Sequence, residues 1–123
     1  MHIPSDIHQK IESRVSTNFI QAYVFVFHEY PWMFDELAAI ELVPAEKMTA
    51  YGYYYPTSKK IVIRMSNETV LDFIDTLVHE LIHHIQFTTQ ALAGGDQLER
   101  EANNYAYLAV KEYKTKRGIP EWK

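Results

Sequence analysis

Apolar residues recur every three or four positions in three stretches of this chain, and the spacing changes to shorter, strand-like runs between the first and the second. Ile7, Ile11, Val15, Phe19, Tyr23, Val26 and Tyr30 make a helical stripe that Ser5 or Asp6 can cap and Pro31 must end. From Leu37 the period breaks. Ala38 to Val43 reads as a short strand closed by Pro44. Tyr51-Gly52-Tyr53-Tyr54-Tyr55 and Lys60-Ile61-Val62-Ile63-Arg64-Met65 read as two more strands, joined through Pro56-Thr57-Ser58 as a hairpin. Ser66 or Asn67 is then expected to cap a helix reaching about Thr88, with Val70, Ile74, Leu77, Val78, Leu81 and Ile85 on its core face. Gly94-Gly95 interrupts the pattern. Asp96 and Glu99 stand at capping-box spacing before a last helix, expected to run to about Lys114. Its buried stripe is Leu98, Ala102, Tyr105, Ala106, Ala109 and Tyr113, and Gly118 and Pro120 end it ahead of a Glu121-Trp122-Lys123 tail.

These elements fit one α+β domain spanning residues 1–123: an N-terminal helix, a small antiparallel sheet of about three strands, and two further helices. At 123 residues and 47% apolar content the chain can bury one core, not two. A net charge of −4 argues against a partner bound through its phosphates, so no nucleic acid is expected. The absence of cysteine removes disulfides, thiolate metal sites and cysteine nucleophiles. No apolar run approaches the ~20 residues of a membrane helix, and the start Met1-His2-Ile3-Pro4-Ser5-Asp6 is unlike a secretory signal. A soluble, cytoplasmic protein without membrane contact is therefore expected.

The second of these helical stretches carries the chemistry. His79 and His83 are four positions apart, one turn along one helix face, so two imidazole nitrogens can grip one zinc ion. Glu80 between them can reach a water on that ion without ligating it. At ~100° per residue both histidines lie roughly opposite the centre of the apolar stripe, on the side the helix offers outward. His84 falls on the flank of the stripe and is expected to be a partly buried, hydrogen-bonded residue. His2 and His8 read as surface residues, and His28 could approach only through tertiary folding. A catalytic zinc needs a third protein ligand and an open position. Glu101 is the choice: it lies beyond the Gly-Gly turn at the edge of the last helix's buried stripe. Glu99 is the rival, placed on the opposite flank and explained as the capping-box partner of Asp96.

The pentad His79-Glu80-Leu81-Ile82-His83 is the signature of zinc metallopeptidases, and here the chain resembles the zincin clan. Glu101-Ala102-Asn103 is similar to the Glu-Ala pair that follows the pentad in gluzincins. The run Glu99-Arg100-Glu101-Ala102-Asn103-Asn104-Tyr105-Ala106 resembles the corresponding helix of small ImmA/IrrE-type metallopeptidases, as does the hairpin ahead of the histidine helix. The resemblance covers roughly Tyr51 to Tyr113. It implies a zincin-like fold, a zinc ion on His79, His83 and Glu101, and Glu80 as general base in peptide-bond hydrolysis. It also implies an extended peptide or protein substrate laid along the free edge of the Lys59–Met65 strand. Thermolysin-like gluzincins carry an aspartate four residues after the ligand glutamate. Counted from Glu101 that position is Tyr105, which leaves the first histidine's orienting partner to Asn104, Asp72, Asp75 or a carbonyl. Tyr53, Tyr54, Tyr55, Tyr105 and Tyr107 are candidates for a transition-state electrophile. The competing reading is a catalytically silent binding or structural module with the same fold, within a larger assembly. The presence of Glu80 favours the enzyme, because a structural zinc site needs no base beside it.

Overall fold

Ile40 and Leu42 on one strand and Ile61 and Ile63 on another stand opposite each other in register, and all four point to one side. Tyr54 joins them from a third strand, opposite Ile61. This alternation gives a sheet with one apolar face, and a helix must cover that face. In the computed structural model, which describes residues 17–65, 69–89 and 94–118, the elements are α1 (Thr17–Glu29), β1 (Ala39–Pro44), β2 (Gly52–Tyr55), β3 (Lys60–Met65), α2 (Val70–Thr88) and α3 (Gly95–Arg117). Short 3₁₀ turns at Pro31–Phe34 and Ala45–Lys47 link α1 to β1 and β1 to β2. Among the described residues the architecture is α+β, with three helices and one small sheet. The Ser5-to-Ser16 part of the expected first helix, His2, His8, the proposed caps Ser66 and Asn67, and the Trp122 tail lie outside the described residues.

The sheet is mixed rather than antiparallel. Its order is β1-β3-β2, with β3 parallel to β1 and antiparallel to β2. The β2–β3 hairpin is as expected. The parallel pair needs a long crossover, and residues 45–59, with β2 inside them, supply it. One consequence corrects an expectation about substrate. β3 is central, so Lys59–Met65 offers no free edge. Among the described residues the unpaired edge beside the histidine helix belongs to β2.

α2 covers the apolar face with Phe73, Ile74, Leu77, Val78 and Leu81, all buried. Its N-cap is Thr69. The Thr69 hydroxyl accepts from Asp72 N–H at 3.1 Å, and Asp72 accepts from Thr69 N–H at 3.2 Å, a reciprocal capping box. α1 adds Ala22, Tyr23 and Val26 to the core, and Met33 and Phe34 follow from the turn that Pro31 opens. α3 runs back along α2 on Ala102, Ala106 and Ala109, whose small side chains let the two backbones approach, with Tyr113 closing the row. Tyr30 Oη donates to Glu112 at 2.6 Å, and Lys116 pairs with Glu29, fastening α3 to α1. Gly118 ends α3 at φ +71°, the left-handed position that glycine adopts without strain. Tyr105, expected in the buried row, is instead 38% exposed and meets Trp32 edge-on. Among the described residues no helix is long and apolar enough to cross a membrane.

His84 is buried, as its phase suggested. Its Nε2–H donates to Asp35 C=O at 2.6 Å and its Nδ1 accepts from Tyr54 Oη–H at 2.8 Å, so the ring ties β2 to the segment before β1 in its neutral form. Burial lowers its pKa from the ordinary 6.5, only partly offset by the Asp35 hydrogen bond. The unfolded chain therefore takes up this proton first. Stability from neutral His84 is fully present above pH ~6.5 and is lost as pH falls from there through the lowered folded value. The slope is at most about 1.4 kcal/mol per pH unit. Urea midpoints between pH 7 and 5 check this: the slope should shrink in His84→Gln, and an identical slope in that variant would remove His84 from the account.

Candidate metal centre

His79 and His83 leave α2 on the side facing α3, and the carboxylate of Glu99 comes across from the first turns of α3 to meet both. The His79 and His83 Nε2 atoms are 3.2 Å apart. Glu99 Oε2 is 3.2 Å from His79 Nε2, and Glu99 Oε1 is 2.8 Å from His83 Nε2. The three ligand atoms form a group that could hold a metal ion. Ligands at ~2.0–2.1 Å from a tetrahedral metal stand about 3.3 Å apart, close to the separations seen. The donor chemistry agrees with the spacing. An imidazole nitrogen without its proton and a carboxylate oxygen are both acceptors, and at such distances they repel unless a proton or a cation lies between them.

Glu101, the expected third ligand, is elsewhere. Its Oε1 accepts a hydrogen bond from Gln86 Nε2 at 2.9 Å. Among the described residues the group that could hold a metal ion takes Glu99, and not Glu101, beside the two histidines. The reason lies at the start of α3. Gly94 is the N-cap and makes no side-chain cap, so Asp96 already sits inside the first turn. The capping box that was to occupy Glu99 does not form, and the Glu99 side chain is left to point at α2.

Glu80 is only 8% exposed, beside the group rather than in it. Burial raises its pKa above the ordinary carboxylate range. Electrostatic interaction with His79 and His83 opposes that rise, and Glu99 adds to it. A cleft of about 730 Å³ opens on Glu80 and both histidines, bounded by β2 on one side and by Phe87, Leu98 and Glu99 on the other. Of the tyrosines named from sequence, Tyr53 and Tyr54 line this cleft, with Tyr54 Oη held by His84. Tyr55 lies near Lys60, Tyr105 against Trp32, and Tyr107 is exposed. His79 shares a smaller recess with Asp75 and Asn103, while Asn104 lines a different one, on the far side with Arg100. Asp72 is spent on the α2 cap.

Two residues that bear on the site were not singled out from the sequence. Gln86 is buried one turn beyond His83, and its signal was a lone amide at the i+3 position of the histidine face. Gly52 opens β2 where the strand passes close against α2. A Cβ there would lie 2.6 Å from Thr76 Cγ2 and 3.3 Å from Glu80 Cγ. Gly52→Ala is expected to cost about 1–3 kcal/mol by forcing the strand off the helix. Chemical denaturation measures it, and an unchanged midpoint would mean that β2 accommodates the methyl freely.

Comparison of the chain with protein-family models, with curated proteins and with solved structures finds no match.

Proposed function

We propose that the protein is a zinc-dependent metallopeptidase of gluzincin type, with a zincin-like arrangement of its helices and edge strand. The observation that carries this reading is the convergence of His79 Nε2, His83 Nε2 and a Glu99 oxygen beside a buried Glu80. His79, His83 and Glu99 hold the ion. Two neutral imidazoles and one carboxylate leave a divalent metal with net positive charge, and nitrogen and oxygen donors in this number suit zinc. Zinc supplies Lewis acidity there, making water acidic near neutral pH and polarising a carbonyl. Glu80 accepts the proton of the attacking water and returns it to the leaving amine. Its raised pKa suits both transfers, because a carboxylate poised nearer neutrality is a better base and then a usable acid.

With Glu99 as ligand, the resemblance to gluzincins improves at one point. The position four residues on is Asn103, and Asn103 shares the recess of His79 with Asp75. An amide oxygen or a carboxylate can accept the outer N–H of that ring. The substrate is an extended peptide. The unpaired edge of β2 runs beside the cleft and can hydrogen-bond a strand laid along it.

The reading is tested by incubating the purified protein with an unfolded polypeptide, with zinc, with a chelator, and with zinc restored. Cleavage that stops with the chelator and returns with zinc is the expected result. Stoichiometric zinc without any cleavage would replace the enzyme with a zinc-binding module, and no zinc uptake at all would end both.

A further inference from the structure

We propose that Gln86 is a positioning residue that fixes the proton of His83 on Nδ1 and seats the Glu99 turn beside it, with Glu101 as its anchor. The inference rests on His79, His83 and Glu99 as a metal site, but not on peptide hydrolysis.

The Gln86 side chain is 6% exposed and is used at both ends. Its Nε2 donates to Leu98 C=O and to Glu101 Oε1, each at 2.9 Å. Both partners are acceptors only, so the amide cannot turn over without setting its oxygen against them. Gln86 Oε1 therefore faces His83 Nδ1, at 2.8 Å. An oxygen there accepts, so in neutral His83 the proton belongs on Nδ1. That leaves Nε2 with a bare lone pair, directed to where His79 Nε2 and Glu99 Oε1 converge.

The alternative tautomer shows what the amide prevents. With its proton on Nε2, His83 would donate to Glu99 Oε1 and close the site on itself. A cation would then have to displace that proton. The same amide also grips α3 at Leu98 and Glu101, the residues on either side of Glu99 but for Arg100. One buried group thus sets the chemistry of one ligand and the place of another, and Glu101 holds that group in its working orientation. This gives Glu101 a part in the site two hydrogen bonds away from the ligand atoms.

The test uses the full chain. In metal-free protein at pH 8, two-bond ¹⁵N–¹H correlations report which His83 nitrogen carries the proton. Competition with a chromophoric chelator reports zinc affinity. Wild type is expected to show the Nδ1–H form. Gln86→Leu is expected to shift His83 to Nε2–H and to weaken zinc binding about 10–100-fold, the usual cost of losing a partner of a metal-ligating histidine. The exchange variant Gln86→Glu/Glu101→Gln keeps an oxygen on His83 and an amide donor between positions 86 and 101. It should restore the Nδ1–H form and recover most of the affinity that Gln86→Glu alone loses. Zinc affinity within about twofold of wild type in Gln86→Leu, with the His83 proton unmoved, overturns the proposal. Should Gln86→Leu fail to fold, the exchange variant decides it: no recovery over Gln86→Glu also overturns it. If wild type takes up no zinc, the metallopeptidase reading falls, while the His83 tautomer in wild type and Gln86→Leu still decides the role of Gln86.

Discussion

Glu80→Gln is expected to leave zinc stoichiometry at the wild-type level and to lower peptide cleavage about 10³-fold. Positioned general bases contribute 10²–10⁴-fold, and Glu80 would take the proton on attack and deliver it on departure, so its loss falls within that range. Glutamine has the shape of the carboxylate and can fill the same buried space, but it accepts no proton at neutral pH. Metal binding should survive because Glu80 is absent from the three-residue cluster. The pH dependence follows from the same burial. The Glu80 pKa is raised, chiefly by removal from water. Activity that needs its ionised form should therefore fall as pH drops through that raised value, above where an ordinary carboxylate would titrate. Zinc content by atomic absorption and cleavage rates on one unfolded polypeptide check both halves. A variant retaining cleavage within tenfold of wild type would require another base. A variant losing zinc along with activity would make Glu80 a structural residue.

Much of this arrangement was legible because local rules carried it. The histidine spacing placed both rings on one helix face, and the apolar period of α2 placed that face away from the sheet. His84 falls out of phase with them and reads as partly buried and hydrogen-bonded; it is hydrogen-bonded through both ring nitrogens and fully buried. What failed depended on which elements meet. Nothing in Ala39–Pro44 states that its partner is β3, or that the two run parallel, since strand direction is set by the path of the crossover and not by the alternation of side chains. Placing β3 at the centre moved the free edge to β2. Glu99 is set aside from sequence because it is assigned to a capping box with Asp96, and that box does not form. Counting Leu98 and Tyr105 as buried also shifts the centre of the α3 stripe by about 20° toward the flank that carries Glu101. The buried row is Ala102, Ala106, Ala109 and Tyr113, repeating at four, three and four. Stepping back three from Ala102 lands on Glu99. At ~100° per residue Glu99 lies about 50° from the centre of that row and Glu101 about 110°. Tyr105 was misjudged because an aromatic at helical spacing usually packs inward, whereas here Trp32 gives it a partner at the surface.

That geometry separates two glutamates only two positions apart, and the largest difference between them should appear in metal binding. Glu99→Ala is expected to weaken zinc binding by more than the 10–100-fold that loss of an outer partner costs, because it removes one of three ligand atoms. It also removes the negative charge that offsets the cation, leaving two neutral rings to hold it. Glu101→Ala removes only the anchor of Gln86, whose Nε2 keeps its second acceptor at Leu98 C=O. Its zinc affinity should stay within about tenfold of wild type, below the cost of removing Gln86 itself. The two variants have the same composition and similar exposure at the altered site, so their circular dichroism should be alike and their zinc affinities should not. Chelator competition on the pair gives the answer directly. Were Glu101→Ala the weaker binder, the α3 turn would have to sit rotated by about 160° from where Ala102, Ala106 and Ala109 place it, because two residues at ~100° each separate the two side chains. The close packing of those alanines on α2 would then have to be rebuilt as well. A result in that direction would therefore overturn both the ligand and the seating of the helix, whereas the expected result requires only that the alanine row stay where it is.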